Sequence, residues 1–148
     1  MRAWFVATMT LALGLHVGAG RLLAQTCSKS EFEAVVDEAG AALRALNQHN
    51  TPEFQAKLRL LRDKRGWTHD QFLKQAAPLV KDEQIAGFDR KSEDLLARIT
   101  NDSQPASSGN AADCALLAEL RASMKTLIET QKAKWAYMFD KIGKELGQ

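Results

Sequence analysis

The two cysteines of the chain, Cys27 and Cys114, restrict its fold more than any other feature of the sequence. An even number of cysteines in an exported protein is typical of a disulfide bond. A bond between these two would close a loop over most of the chain, and the chain-entropy model assigns about 4–5 kcal/mol of stabilisation to a loop of that length. We therefore predict a disulfide bond, with two free thiols as the alternative.

The first 24 residues have the pattern of a secretory signal peptide. A short basic start is followed by an apolar run over residues 4–15 and then by small residues, which is the order that signal peptides have. The apolar run is shorter than the ~20 residues of a membrane-spanning helix. We favour cleavage after Ala24, with cleavage after Ala19, an uncleaved anchor and a lipid on Cys27 as alternatives. The sequence thus predicts a periplasmic or secreted protein that has no stable membrane span after cleavage.

Removal of residues 1–24 changes the charge of the chain. The full sequence has 20 lysine and arginine residues and 18 aspartate and glutamate residues. Arg2 and Arg21 lie in the predicted signal peptide, which contains no acidic residue, so the mature chain has no net charge. Nucleic-acid-binding domains usually carry a basic patch and an excess of positive charge. We therefore expect no nucleic-acid partner.

Apolar residues recur at the three- and four-residue steps of amphipathic helices in most of the mature sequence. Three long helices are predicted, over residues 28–48, 78–100 and 111–147, and the last is the longest. The segment 52–77 is predicted to form a short helical hairpin, because Pro52 fits the first turn of a new helix. No alternating pattern of a strand is present. The sequence therefore predicts an all-α helical bundle with a long C-terminal helix, stapled by one disulfide.

The disulfide also predicts the direction of the helices. It would place the start of the first helix beside the start of the last, so these two helices should be parallel. In an up-down-up-down bundle the first and fourth helices are antiparallel, so the bond argues against that topology. We predict one domain over residues 25–148, with a three-helix core and the hairpin 52–77 at the end away from the disulfide. Residues 101–110, which have no large apolar side chain, are predicted to be a flexible linker.

A first helix that ends near residue 48 would cover only the first part of the last helix. The apolar stripe of the last helix continues beyond that point through Trp135, Met138, Phe139, Ile142 and Leu146. A bare apolar stripe of this size is unusual in a monomer. Either the hairpin 52–77 or another protein chain should cover it, and we favour the hairpin.

The same end of the bundle is the partner-binding surface that we predict. Aromatic side chains of the last helix and a run of basic residues after position 56 would lie close together there. The predicted partner-binding residues are Trp135, Phe139, Ile142, Arg62, Arg65 and Trp67. A surface of this kind suits an amphipathic helix or an unfolded segment. The sequence therefore indicates an exported, noncatalytic interaction module, with a protein partner or self-association.

Motifs that carry chemistry are absent from the sequence. It contains no Cys-x-x-Cys-His, no His-Glu-x-x-His, no Glu-x-x-His and no phosphate-binding glycine loop. The histidines of the mature chain, His49 and His69, lie at predicted helix ends, where a histidine is usually solvated. We therefore predict no enzymatic activity and no cofactor. The alternative is a carrier of haem or of a small apolar ligand in the bundle interior, between Met124 and Met138, which lie on one helix face.

Overall fold

The structure, a computed structural model, describes residues 26–107 and 112–148. The predicted signal peptide and positions 108–110 of the predicted linker lie outside the described residues. The elements in chain order are β1 (Thr26–Cys27), α1 (Lys29–Arg65), α2 (His69–Val80), α3 (Glu83–Ser107), β2 (Ala112–Asp113) and α4 (Cys114–Leu146). The predicted all-α bundle with a long C-terminal helix is confirmed, because the two strands have only two residues each.

A disulfide bond joins Cys27 to Cys114, whose Cα atoms are 5.0 Å apart. Next to it, β1 and β2 pair in an antiparallel ladder. The starts of α1 and α4 therefore lie side by side at one end of the bundle, called the disulfide end below. At the opposite end, called the far end, the guanidinium of Arg65 is 3.0 Å from the carboxylate of Glu145. The two helices are thus parallel along their whole length, as the disulfide predicted.

Local sequence signals fix both ends of α1. The carboxylate of Glu31 accepts hydrogen bonds from the backbone amide and the hydroxyl of Ser28, both at 2.8 Å, which caps the helix start. At the other end Gly66 has a φ of 63°, in the left-handed region that suits glycine. The amide of Trp67 then donates to the carbonyl of Arg62 at 3.1 Å, which completes a common helix-ending turn.

α1 continues through Pro52, and the prediction of a helix 28–48 followed by a hairpin 52–77 is wrong at this boundary. The proline removes one helical hydrogen bond, at a cost of about 3 kcal/mol. Phe54 and Leu61, which follow it, are both buried. Burial of a large apolar side chain contributes about 1.5–3 kcal/mol, so these two together outweigh the local cost of the proline. The packing of α1 along α4 therefore decides the length of the helix.

The predicted boundary between the hairpin 52–77 and the helix 78–100 lies a few residues later in the structure. Pro78 lies in the last turn of α2, and Lys81 and Asp82 separate this helix from α3. The carboxylate of Asp82 accepts a hydrogen bond from the backbone amide of Ile85 at 2.8 Å. A side-chain acceptor at this position satisfies one of the unpaired amides of the helix start. Asp82 therefore explains why α3 begins where it does.

α3 extends to Ser107, so the flexible linker predicted over 101–110 is helical in its described part. The turns before it are anchored by Leu95 and Ile99, which are buried in the core. Once such a helix exists, each further residue adds a hydrogen bond without the cost of a new helix nucleus. The polar composition of this segment therefore does not decide its backbone conformation.

The bundle contains two apolar cores along α4. The disulfide-end core consists of Phe32, Val35, Ala39, Leu95, Ile99, Leu117, Leu120, Met124 and Leu127. The far-end core consists of Phe54, Leu61, Leu79, Ile85, Met138, Ile142 and Leu146. α1 and α3 pack mainly against α4, which is the central helix of the fold.

A polar layer is also buried on α3 and α4. The hydroxyl of Ser92 accepts a hydrogen bond from the side-chain amide of Gln131 at 2.7 Å and donates to the carbonyl of Phe88. Thr130 is buried on α4 and donates to the carbonyl of Thr126. These hydrogen bonds offset the cost of burying polar atoms. None of the helices in the described part of the chain is both long and apolar enough to cross a lipid bilayer.

Candidate functional site

The apolar stripe of α4 at the far end is covered by the chain itself. The ring of Phe54 lies with its centroid 6.0 Å from that of Trp135 and 5.5 Å from that of Phe139, both in edge-on geometry. Trp67 also packs against this core. Ile142 is 0% exposed, so it cannot contact a partner in the folded protein. The expectation that residues 52–77 cover the stripe is confirmed, although most of the cover comes from the continuation of α1.

Much of the basic run at the end of α1 contacts the end of α4. The ammonium of Lys64 donates to the carbonyl of Leu146 at 2.7 Å, and the guanidinium of Arg65 donates to both the carbonyl and the carboxylate of Glu145. The last carbonyls of a helix have no partner within the helix and attract positive charge. Arg62, the other predicted partner-binding arginine, pairs with its neighbouring aspartate. The run thus has a structural role in capping α4.

The far end nevertheless exposes apolar side chains that the sequence reasoning missed. Leu60, Leu73 and Val80 are 52%, 57% and 44% exposed, and the whole segment from 60 to 80 lies at this end. Adjacent residues of a helix point about 100° apart. Leu73 follows the half-buried Phe72, and Val80 follows the buried Leu79, so both point away from the core. This second stripe of α2 is the signal in the sequence that could have identified them.

A hydrogen-bonded cluster around Asp82 ties the start of α3 to α4. The carboxylate of Asp82 accepts hydrogen bonds from the ammonium of Lys141 and from the hydroxyl of Tyr137, the latter at 2.9 Å. Lys141 also donates to the carbonyl of Pro78. The hydrogen bond from Lys141 and then that from the amide of Ile85 lower the pKa of Asp82 to about 2. The hydrogen bond that Tyr137 donates to Asp82 raises the pKa of the Tyr137 hydroxyl, and partial burial and the negative charge of Asp82 raise it further.

The contribution of Asp82 to stability should disappear as the pH falls from about 4 to about 2. An unfolded aspartate has a pKa of about 3.9, and the folded value is lower. The stabilisation is therefore complete above about pH 5 and is lost as the folded carboxylate becomes protonated. Urea denaturation at a series of pH values measures the free energy of unfolding. The difference in this free energy between the wild type and Asp82→Asn should shrink below about pH 4.

Asp94→Asn is the control for this experiment, because Asp94 is an exposed aspartate on the same helix. The difference in free energy of unfolding between Asp94→Asn and the wild type should change less between neutral and acidic pH. A difference for Asp82→Asn that stays constant down to about pH 2 would contradict the proposed role of its charge.

A groove of about 430 Å³ lies between α1 and α4, on the side of the bundle that includes Arg121 and Lys132. Apolar residues form its floor, and charged residues form its edges. The floor consists of Val35, Ala39, Ala42, Met124 and Ile128. Lys132 and Glu129 on the α4 edge pair with each other at 3.0 Å. The short alanine side chains of α1 leave this groove open between helices that are otherwise closely packed.

The two methionines of the ligand-carrier hypothesis lie in different cores. Met124 belongs to the disulfide-end core, and Met138 belongs to the far-end core. The side chain of His49 is 79% exposed and lies 3.9 Å from Glu53. These contacts do not join the methionines and the histidine into one haem site, and the carrier hypothesis stays a prediction.

Among the residues that the structure describes, no group of three histidine, cysteine, aspartate or glutamate residues could hold a metal ion. The sequence matches no protein-family model, and no curated protein and no solved structure matches the chain. The exposed stripe of the far end and the groove between α1 and α4 are therefore the two features on which a function can be proposed.

Proposed function

We propose that this chain is an exported, noncatalytic helical module that binds a protein partner at its far end. The observation that carries the proposal is the exposure of Leu60 at the end of α1 and of Leu73 and Val80 on α2. These side chains contribute little to the folded core, so their apolar surface is available to a partner. Apolar side chains that become buried against a partner supply much of the affinity of protein interfaces.

Basic residues on the same two helices favour an acidic partner. Arg59 on α1 and Lys74 on α2 are exposed, and Lys81 follows the end of α2. A partner segment that combines apolar anchors with acidic flanks would match this surface. An amphipathic helix or an unfolded segment of another exported protein has this chemistry.

The disulfide supports the proposal of export. Disulfide bonds persist in oxidising compartments and are rare in the reducing cytosol. Cys27 and Cys114 are bonded, and this agrees with the signal peptide predicted over residues 1–24. A periplasmic or secreted location is therefore part of the proposal.

The double variant Leu60→Ser, Leu73→Ser tests the proposed surface. Both side chains are exposed, so the fold should be retained, and partner capture from the native envelope or secreted fraction should fall at least about tenfold, which corresponds to about 1.4 kcal/mol. Leu96→Ser is the matched control, because Leu96 is exposed to a similar degree on α3 and lies outside the far-end segment. Quantitative pull-down with the exported protein measures the effect. Equal capture by both variants and the wild type would contradict the proposal.

A further inference from the structure

The two edges of the groove between α1 and α4 have opposite charge. Glu38 lines the groove from α1, and Glu31 is exposed on α1 nearer the disulfide end. Arg121 and Lys125 line it from α4, together with Glu129 and Lys132, which pair with each other. Hydrogen bonds from Ser28 lower the pKa of Glu31, and the positive charge of Arg121 lowers it further. The acidic edge and the basic edge therefore lie within electrostatic range of each other across the open groove.

The groove lies on helices that run in the same direction. Residues 35–42 of α1 and 121–132 of α4 line it together, so they are at the same height along the bundle. An acidic edge beside a parallel basic edge is a surface that can complement itself. A two-fold axis parallel to the helices would place the acidic edge of one copy over the basic edge of the other at the same height. A two-fold axis perpendicular to the helices would instead place like charges together.

We propose that this face binds a second copy of the chain in a parallel two-fold dimer, in which α1 of each copy lies over α4 of the other. Glu38 of one copy then faces Lys125 of the other, and the two-fold symmetry repeats this pair. The small side chains of Ala39 and Ala42 allow the helices to approach closely, and the interface covers the apolar floor of the groove.

Charge complementarity favours a second copy over an unrelated partner. Both the acidic and the basic edge that the interface needs are present on the chain itself, in the register that a parallel dimer requires. The mature chain has no net charge, so two copies do not repel each other at long range. The dimer leaves Leu60 and Leu73 of the far end free, so the inference does not depend on the proposed partner site.

Charge reversal at the two edges tests the dimer. Sedimentation velocity of the exported, disulfide-bonded protein over a concentration series should show a monomer–dimer equilibrium. Glu38→Lys and Lys125→Glu should each weaken the dimer about tenfold or more, because each reversal converts two attractive pairs into two repulsive pairs. The double variant Glu38→Lys, Lys125→Glu should restore the dimer to within about threefold of the wild type, since both pairs are again attractive.

Mixing the two single variants separates contacts between copies from contacts within one copy. In the mixture, a chain with Glu38→Lys meets a chain with Lys125→Glu, and both pairs across the interface then join opposite charges. The heterodimer should therefore form although each variant alone is weakened. The controls are Glu33→Lys and Arg44→Glu, which reverse charges of α1 that do not line the groove and should leave the equilibrium unchanged.

Three outcomes would overturn the proposal. The first is a wild-type protein that stays monomeric at every concentration. The second is a dimer that the single reversals weaken but that neither the double variant nor the mixture restores, while circular dichroism shows an intact fold. The third is a dimer that dissociates in Leu60→Ser, Leu73→Ser and is indifferent to Glu38→Lys, which would place the contact between copies at the far end.

Discussion

Replacement of both Cys27 and Cys114 by serine should lower the free energy of unfolding by about 4–5 kcal/mol. The bond closes a loop with a sequence separation of 87 residues, and its loss restores the conformational freedom of that loop to the unfolded chain. Domains of this size are usually stable by about 5–15 kcal/mol, so the loss is a large part of the total. Urea denaturation followed by circular dichroism measures the change.

The wild type under reducing conditions is the internal control for the serine variant. Its unfolding curve should coincide with that of the double variant, because the same covalent constraint is absent from both. The proposed dimer would also contribute to apparent stability, so the two curves are compared at equal and low protein concentration. A loss of free energy of unfolding below about 1 kcal/mol would contradict this prediction. It would mean that the unfolded chain keeps the loop restricted even without the disulfide bond.

Phe54→Ala should destabilise the protein by about 3–5 kcal/mol. The ring is buried at the far end, and it packs edge-on against the rings of Trp135 and Phe139. Its removal leaves a cavity and also removes aromatic contacts that contribute about 0.5–1.5 kcal/mol each beyond burial. The change in the urea midpoint, at an unchanged dependence on urea, measures this loss.

Leu60→Ala is the matched control for Phe54→Ala. Leu60 lies on the same helix and at the same end of the bundle, but it is exposed. Exposed substitutions usually change stability by no more than about 0.5 kcal/mol. Equal effects of the two substitutions would mean that α1 does not cover the apolar stripe of α4 in solution.

The parallel topology of α1 and α4 was predicted from the disulfide bond between Cys27 and Cys114. Two cysteines at the starts of two helices leave few arrangements, and the parallel pairing of α1 with α4 follows from them. The helical class followed from the period of the apolar residues, which local signals do not override. The positions of the two cysteines and the spacing of the apolar residues can both be read from the sequence without knowledge of how the helices pack.

The boundaries within the bundle could not be predicted in the same way. Pro52 is a signal for a helix start, but the burial of Phe54 and Leu61 against α4 keeps the helix continuous. The polar segment after Thr100 has the composition of a linker, although α3 continues through its first part. At Pro52 a local preference of a few kcal/mol competes with tertiary contacts, which no pattern within one segment reveals.

The candidate site was likewise predicted only in part, because the exposure of its residues depends on how the helices pack. Trp135, Phe139 and Ile142 were predicted to form a partner surface with the basic run, but α1 continues past residue 48, and Ile142 is buried in the far-end core while Trp135 and Phe139 pack against it. Leu60 and Leu73 were missed because the stripes of their helices were assigned to the core first. An exposed leucine is recognised only once the partner of each helix is known, and that partner is set by the topology of the whole chain.

The central position of α4 has a consequence for the export that we propose. α1, α2 and α3 all precede α4 in the chain, yet each packs against it, and α1 and α3 contact each other little. A chain that crosses a membrane from its N-terminus therefore has no complete core to collapse around until its final third has been delivered. The disulfide bond likewise cannot form until Cys114 has followed Cys27 across the membrane. In an exported chain this architecture would keep the polypeptide unfolded during transit and would allow it to fold only after α4 has crossed the membrane.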